Sequence, residues 1–332
     1  MSKTIDKKYV VGVDLGGTKI LAAVINKEGE IISRAKKKTK ADRPSEEILG
    51  RLTSVCIEAV EKSEISFDEI QGIGIGSPGP LDPVKGMVIE TPNLNLTGAC
   101  ITDFVTNELG VPSFLDNDVN VGTFGEFVFG AGRGCKHIVG LFLGTGIGGG
   151  VIIDGKLLHG HSFNAGELGH LKVRAFGEKC GCGMHGCLEA YASKTAMIKH
   201  FKKAVAKGKP TILTELIGDN WAKLTSKVFR QAYDANDKLV IKELNRAAKL
   251  TGVAIGSLLN ILSPEKVIIG GGLIEAMDKE LMPVIIEYAK ANSFPIIHKN
   301  VDIVPAALGD DSGILGAAAI AWERLETNTV SH

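Results

Sequence analysis

Aromatic residues make up only 5% of the 332-residue chain, prolines number 11 and cysteines six. With 44% hydrophobic residues the chain is neither disordered nor collagen-like, and six cysteines cannot staple a chain of this size as a disulfide scaffold. No charge of either sign dominates, because 38 lysines and arginines balance 38 aspartates and glutamates. Such neutrality gives no pull toward nucleic acid or an anionic membrane, and points to a neutral small molecule as ligand. No window approaches the roughly 20 apolar residues of a membrane span, and Met1 to Lys8 is too polar for a signal peptide. The sequence therefore reads as a soluble, cytoplasmic protein. Its length exceeds what one core fills, so two lobes and a cleft between them are expected.

β-branched runs at Tyr9 to Asp14, Ile20 to Ile25 and Ile70 to Gly76 are bounded by turn residues and read as strands, the first two as a hairpin. Ser45 to Ser63 has apolar Ile48, Leu52, Val55, Ile57 and Val60 near helical spacing, with start signals at Ser45 and Glu46. Ser77 to Leu96 lacks a period and reads as a long, ordered or functional loop. A strand over Val111 to Asp116 and a helix over Asp118 to Val128 follow. Helices are expected over Ala192 to Val205, Val228 to Ala235, Asp237 to Leu262, Leu273 to Ala291 and Ser312 to Leu325, and strands over Lys266 to Ile269 and Val301 to Pro305. The run Lys36 to Lys40 reads as a solvated strand end.

The opening pattern recurs 128 residues later. Val11-Gly12-Val13-x-Leu15-Gly16 matches Val139-Gly140-Leu141-x-Leu143-Gly144, and Ala23-Val24-Ile25 matches Val151-Ile152-Ile153. Each copy is a strand, a Gly/Thr loop and a return strand, as a duplicated α/β lobe requires. The boundaries expected are 1–117 for a small lobe, with a C-terminal helix at 313–328 packing back on it, and 118–312 for a large lobe.

Asp14-Leu15-Gly16-Gly17-Thr18-Lys19 offers unobstructed backbone amides, a hydroxyl, a lysine and a carboxylate in one turn, which suits phosphate with a cation such as Mg²⁺. Leu143-Gly144-Thr145-Gly146-Ile147-Gly148-Gly149-Gly150 is a second such loop. Either alone also suits a tight hairpin; two related copies favour phosphate. Gly74-x-Gly76-x-x-Gly79 and Gly144-x-Gly146-x-x-Gly149 spell a dinucleotide fingerprint, but Pro78 and Pro80 oppose a helix after the first and a strand follows the second. No G-x-x-x-x-G-K-[ST] run is present. Phosphate held on hairpins of duplicated lobes is the style of actin and hexokinase.

Three cysteines crowd into Cys180-Gly181-Cys182-Gly183-Met184-His185-Gly186-Cys187, a soft-ligand loop that one further donor, His170 or His185, completes as a closed, structural zinc site. Buried thiols or a redox switch are the plainer alternative. Asp116-Asn117-Asp118 ends a strand and opens a helix; Asp116 is read as the helix cap and Asp118 as a base for a sugar hydroxyl. Glu167 and Glu189 flank the cysteine loop and could accept from sugar hydroxyls.

From the Asp14 to Lys19 loop through Glu167-Leu168-Gly169-His170, the cysteine loop and Gly309-Asp310-Asp311-Ser312-Gly313, the sequence resembles the ROK family of sugar kinases, most closely its bacterial ATP-dependent glucokinases. The resemblance implies an actin-like, two-lobed α/β fold and transfer of the ATP γ-phosphoryl group to the 6-hydroxyl of a hexose, glucose first. It implies Asp118 as catalytic base, and Gly79, Asn93, Asn117, Glu167, His170 and Glu189 as sugar contacts. It further implies Asp14, Gly16, Gly17, Thr18, Lys19, Gly144, Thr145 and Gly146 around Mg-ATP, with Gly271 and Gly272 near adenosine. A structural zinc would be held by His170, Cys180, Cys182 and Cys187, and a homodimer or dimer of dimers is expected. No helix-turn-helix segment fits before Tyr9, which sets the chain apart from the family's repressors. Kinases for N-acetylglucosamine, N-acetylmannosamine or fructose remain alternatives, as does a sugar-sensing regulator without turnover.

Overall fold

The computed structural model describes residues 8–91 and 93–330, with side chains described to residue 327; the polar stretch Met1 to Lys7 lies outside them. The chain divides into two compact units. The first takes in the chain up to Gly134, Leu157–Ala165 and everything from Asp310 onward; the second comprises Cys135–Lys156 and Gly166–Gly309.

In the first unit, β1 (Tyr9–Leu15) and β2 (Lys19–Asn26) form an antiparallel hairpin with Val13 opposite Ala22. β3 (Ile31–Lys38) continues it antiparallel; its alternation leaves Lys36 and Lys38 exposed but turns Lys37 toward Ser54 and Glu58, with the Glu58 carboxylate 3.4 Å away, so the lysine run is only partly the solvated strand end expected. β4 (Ile70–Ser77) pairs parallel with β1. A small antiparallel pair, β5 (Leu81–Asp82) and β6 (Met87–Val88), structures the proline-rich loop, and β7 (Ser113–Asn117) lies parallel to β4. α1 (Ser45–Ser63) covers one face with Ile48, Leu52, Val55 and Val60, joined by α2 (Ile101–Leu109). α3 (Asp118–Val128) and the C-terminal helix Ser312–Val330 pack on each other and on β4. That packing needs glycine in the sheet, because a Cβ on Gly74 would sit 1.7 Å from the Ala317 carbonyl oxygen and one on Gly12 2.0 Å from that of Ile314.

The first unit extends past the boundary expected at residue 117. α3 belongs to it because Gly125 and Gly316 bring α3 and the C-terminal helix into backbone contact. The segment 157–165, expected in the large lobe, is also part of it.

The second unit repeats the plan. β8 (Ile138–Leu143) and β9 (Ile147–Ile153) form an antiparallel hairpin, with β10 (Lys156–Leu157) at its edge. β11 (Lys266–Gly270) is parallel to β8 and β12 (Asp302–Pro305) parallel to β11. The two sheets run β3-β2-β1-β4-β7 and β10-β9-β8-β11-β12, the same order strand for strand. The helix expected over Ala192 to Val205 is broken at Ser193 into α4 (Glu189–Ala192) and α5 (Lys194–Val205); the Ser193 hydroxyl accepts from the Ala196 N–H and caps the second piece. α6 (Leu213–Ile217), α7 (Ser226–Asp234), α8 (Lys238–Leu262), α9 (Gly272–Ala291) and α10 (Pro295–His298) complete the unit, with α8 lying along α9. Among the described residues no helix is long and apolar enough to cross a membrane.

Candidate active site

The two hairpin loops are built alike. In the first, the Gly16 N–H donates to the Lys19 carbonyl at 3.0 Å, closing the turn between β1 and β2. The buried Thr39, just beyond β3, donates its hydroxyl to the Gly16 carbonyl at 2.6 Å and its N–H to the Thr18 carbonyl at 3.1 Å. In the second, the Gly144 N–H donates to the Gly146 carbonyl at 2.9 Å. Here the first turn of α5 does the anchoring: the Lys194 N–H reaches the Gly144 carbonyl at 3.0 Å, and the Thr195 hydroxyl the Thr145 carbonyl at 2.8 Å. These donors tie carbonyls of both glycine-rich turns to neighbouring elements.

Asp14 ends β1 beside the first loop. Burial pushes its carboxyl above the ordinary carboxylate range; Lys19 opposes that shift and Asp310 adds to it. The backbone of Asn93 lies against Gly17, while its side chain stands on an exposed residue. Beside the second loop is a cavity of about 190 Å³ whose lining mixes Gly144, Thr145, Lys194 and Ser226 with the apolar Leu143, Met197, Phe229 and Leu273 and with Gly272. Gly271 has φ +93° and a Cβ there would come within 2.4 Å of the Leu143 carbonyl oxygen, so only glycine lets α9 start this close to β8.

The strand β7 delivers three consecutive polar residues to the start of α3. The helix cap expected of Asp116 belongs to Asn117, whose Oδ1 accepts from the Val119 and Asn120 N–H groups at 2.9 and 3.3 Å. Asp116 pairs with Gly76 across the sheet and points inward at 1% exposure. Its Oδ1 accepts from the Asn117 N–H and the Asn120 amide, and its Oδ2 lies 2.6 Å from His159 Nε2. Asp118 Oδ1 accepts from its neighbour's N–H at 2.9 Å. Gly79 lies beside Asn117, within 4 Å of the Asn117 amide nitrogen for an added Cβ.

In the second unit His170, Cys180, Cys182 and Cys187 present ligand atoms that all lie within 4.8 Å of one another. Cys182 Sγ and Cys187 Sγ are 3.8 Å apart, as are Cys180 Sγ and His170 Nδ1. A tetrahedron with arms near 2.3 Å has edges of about 3.8 Å, so the donor set fits zinc in both chemistry and spacing. Lys172 Nζ, 3.0 Å from Cys187 Sγ, supplies a positive charge beside the thiols. His185 instead directs Nδ1 to the Gly177 carbonyl at 3.1 Å and stands outside the cluster. Glu167 is exposed, with its carboxylate 3.8 Å from His170 Nε2. Glu189, at the start of α4, accepts from the Ile147 N–H at 2.9 Å through Oε2 and from Cys180 Sγ at 3.5 Å through Oε1, so it joins the cysteine loop to the second glycine loop.

A model of the ROK family matches residues 10–324. The chain belongs to the ROK family. Among ROK proteins it is similar to a glucokinase of Thermotoga maritima, 34% identical over 323 residues that cover 96% of this chain and 99% of that one. It is also similar to a xylose repressor of Caldicellulosiruptor bescii, 30% identical over 95% of this chain and 78% of the repressor. A solved ROK family glucokinase from Streptomyces griseus, in complex with glucose and AMPPNP, superposes with a TM-score of 0.77 at 30% identity, covering 95% of this chain and 99% of that one. The ROK fold is the duplicated α/β fold of the actin-like ATPases, in keeping with the two five-stranded sheets of matching order.

Sequence reasoning missed Thr39, Thr195 and His159. A lone threonine after a lysine run carries no motif, and His159 meets its partner across 43 residues. His159→Phe keeps the ring volume but leaves the buried Asp116 Oδ2 without its donor, an expected loss of about 2 kcal/mol for a buried polar group left unpaired. Urea unfolding of the folded variant against the wild type measures it.

Proposed function

We propose that this ROK protein is an ATP-dependent hexose kinase that moves the γ-phosphoryl group of Mg-ATP to the 6-hydroxyl of glucose. The observation that carries the reading is the second glycine loop: its carbonyls are tied to α5, and it borders a cavity whose lining combines polar groups suited to ribose and phosphate with apolar side chains suited to a base. Likeness to glucokinases over nearly the whole chain supports the acceptor. The first loop, with Asp14, Gly16, Gly17, Thr18 and Lys19, would take the metal-bound phosphates, and Gly144, Thr145, Gly146, Gly271 and Gly272 the rest of the nucleotide.

Asp118 is the base in this reading. Its carboxylate takes the 6-hydroxyl proton as that oxygen attacks the γ-phosphorus, and the bond to the bridging oxygen breaks to release ADP. Asn117 has Oδ1 committed to the helix cap, which leaves its amide N–H groups to donate to a sugar hydroxyl. Glu167, His170 and Glu189 would accept from or donate to the ring hydroxyls, with Gly79 and Asn93 completing the contacts. His170 can serve two purposes because Nδ1 faces Cys180 while Nε2 faces Glu167. A zinc ion held by His170, Cys180, Cys182 and Cys187 would supply a rigid cross-link, and Glu189 would keep its position through that loop.

Likeness to a xylose repressor raises the second reading, a sugar-binding regulator without turnover. A sensor has no use for a carboxylate base together with two phosphate loops, which favours the kinase. Replacing Asp118 by Asn is expected to lower kcat by at least about 100-fold, the range of general-base loss, while glucose binding measured by calorimetry stays within a few-fold. Near wild-type turnover would remove Asp118 from the role, and binding of sugar with no ADP release in the wild type would favour the regulator.

Acetamido sugars need a pocket with partners for the amide, since a polar group desolvated without one costs about 1 to 3 kcal/mol. Glucose is therefore expected to give the highest kcat/KM, at least about tenfold above mannose, fructose, N-acetylglucosamine and N-acetylmannosamine, equivalent to about 1.4 kcal/mol. Coupled ADP-release assays across these sugars decide it, and an acetamido sugar at the head of the ranking replaces glucose as substrate.

For the metal, elemental analysis of protein purified without chelator is expected to give one zinc per chain. Cys182→Ala should abolish it and lower Tm, as should prolonged chelation of the wild type. Absence of stoichiometric zinc from folded wild-type protein removes the assignment.

A further inference from the structure

A second cavity in the Cys135–Gly309 unit, of about 480 Å³, shares no lining residue with the one beside the glycine loop. It opens between the C-terminal half of α5, the turn that follows it and the start of α8. Lys203, Lys207, Lys209, Lys238, Lys242 and Arg246 line it, against two carboxylates, Glu178 and Glu243. In a chain whose charges cancel, that is a strong local excess of one sign.

Both carboxylates are already engaged. Glu178 Oε2 lies 2.6 Å from His200 Nε2, and its Oε1 lies 3.5 Å from Arg246. Glu243 Oε2 lies 3.0 Å from Arg246 and 3.4 Å from His200 Nδ1. Arg246 also contacts the His200 ring directly. These four side chains form a partly buried, charge-paired cluster, within which Arg246 Nε and Glu243 Oε2 are both without a hydrogen-bond partner, the latter facing Arg246 as an ion pair. The five lysines are different: they stand on exposed residues, and none makes an ion pair with a carboxylate of the described chain. Five ammonium groups round one concavity, with only Lys242 close enough to Glu243 to help hold its carboxyl low, repel each other, and an anion that bridges them relieves the repulsion.

We propose that this lysine-lined cavity binds an oligophosphate group, of two or more linked phosphates, at a site separate from the glycine loops. The class follows from charge and size. An orthophosphate carries too few charges to span groups spread over α5, the 207–210 turn and α8, while a chain of linked phosphates offers several oxygens at a spacing that point-charge lysines can meet without a fixed fork geometry. The volume exceeds what one phosphate fills. Ala204, Pro210 and Leu239 add an apolar rim but no aromatic face on which a base could stack, so the oligophosphate itself, free or esterified, is the recognised part.

The proposal does not depend on the kinase reading, and its test uses no turnover. The full chain is titrated calorimetrically in magnesium-free, low-salt buffer with sodium tripolyphosphate, orthophosphate and glucose 6-phosphate. The wild type is expected to show a tripolyphosphate component at least about tenfold tighter than its binding of the two monophosphates. That component should weaken severalfold between about 50 and 300 mM NaCl, as screening of exposed charges requires. The combined variant Lys203→Ala, Lys207→Ala, Lys242→Ala, at exposed positions that leave the core untouched, should lose it. Lys279→Ala, an exposed lysine of α9 outside the cavity, should keep it. Binding at the glycine loops would survive in the combined variant and so is separable. Tripolyphosphate binding that is absent, or unchanged in the combined variant, or matched by orthophosphate or glucose 6-phosphate, overturns the proposal.

Discussion

Two hydroxyl groups constrain the glycine-rich hairpin turns proposed to hold phosphate. A glycine-rich hairpin turn is free to rotate its peptide planes, and a turn that shows carbonyl oxygens outward repels phosphate as strongly as one showing amides attracts it. Thr39 and Thr195 remove that freedom by drawing the Gly16 and Thr145 carbonyls to themselves. The two threonines come from unlike elements, one from the end of an edge strand and the other from the first turn of a helix. The duplicated sheets thus preserve the function of the tie without preserving its source, which argues that carbonyl orientation, rather than descent of a particular element, is the constraint.

The second tie reaches further than the first. α5 can begin at Lys194 only because Ser193 breaks the helix begun at Glu189 and caps the next one. The same short α4 carries Glu189, which grips the Ile147 N–H on the far side of the glycine loop and touches Cys180. The glycine loop is therefore held from one side by the start of α5 and from the other by a carboxylate whose position depends on the cysteine cluster. A metal in that cluster would act on the second glycine loop through Glu189 as well as on the sugar contacts proposed for it, so loss of metal should be felt as loosening of both together.

Much of this was legible along the chain, and the failures share a cause. The hairpins, α1, α3 and α8 carry their own periodicity, and α3 and α8 also their own capping side chains, Asn117 and Asp237, so local pattern sufficed. The cysteine loop was legible because its donors are close in sequence, and the spatial cluster then separates His170 from His185, which the spacing alone left open. Asp116 and Asn117 could not be told apart as caps, since both are good capping residues one position apart. What divides them is the pleat of β7, which turns Asp116 inward opposite Gly76. His159, Thr39 and the reach of the first unit to Gly134 depend on contacts between distant segments, to which no local pattern responds.

The buried Asp116 shows why such long-range contacts matter next to the proposed base. A carboxylate at 1% exposure is costly unless every lone-pair direction is met, and here an amide, a backbone N–H and an imidazole meet it. Each of those partners belongs to a different piece of chain: Asn120 to α3, Asn117 to the turn and His159 to the 157–165 segment. Because Asp118 follows two residues later on the same turn, any shift of α3 against β7 that moved Asp118 would also have to break the Asn120 contact to a charge with no water to replace it. The buried carboxylate is thereby a lock on the geometry of the turn that carries Asp118, the residue proposed above as base.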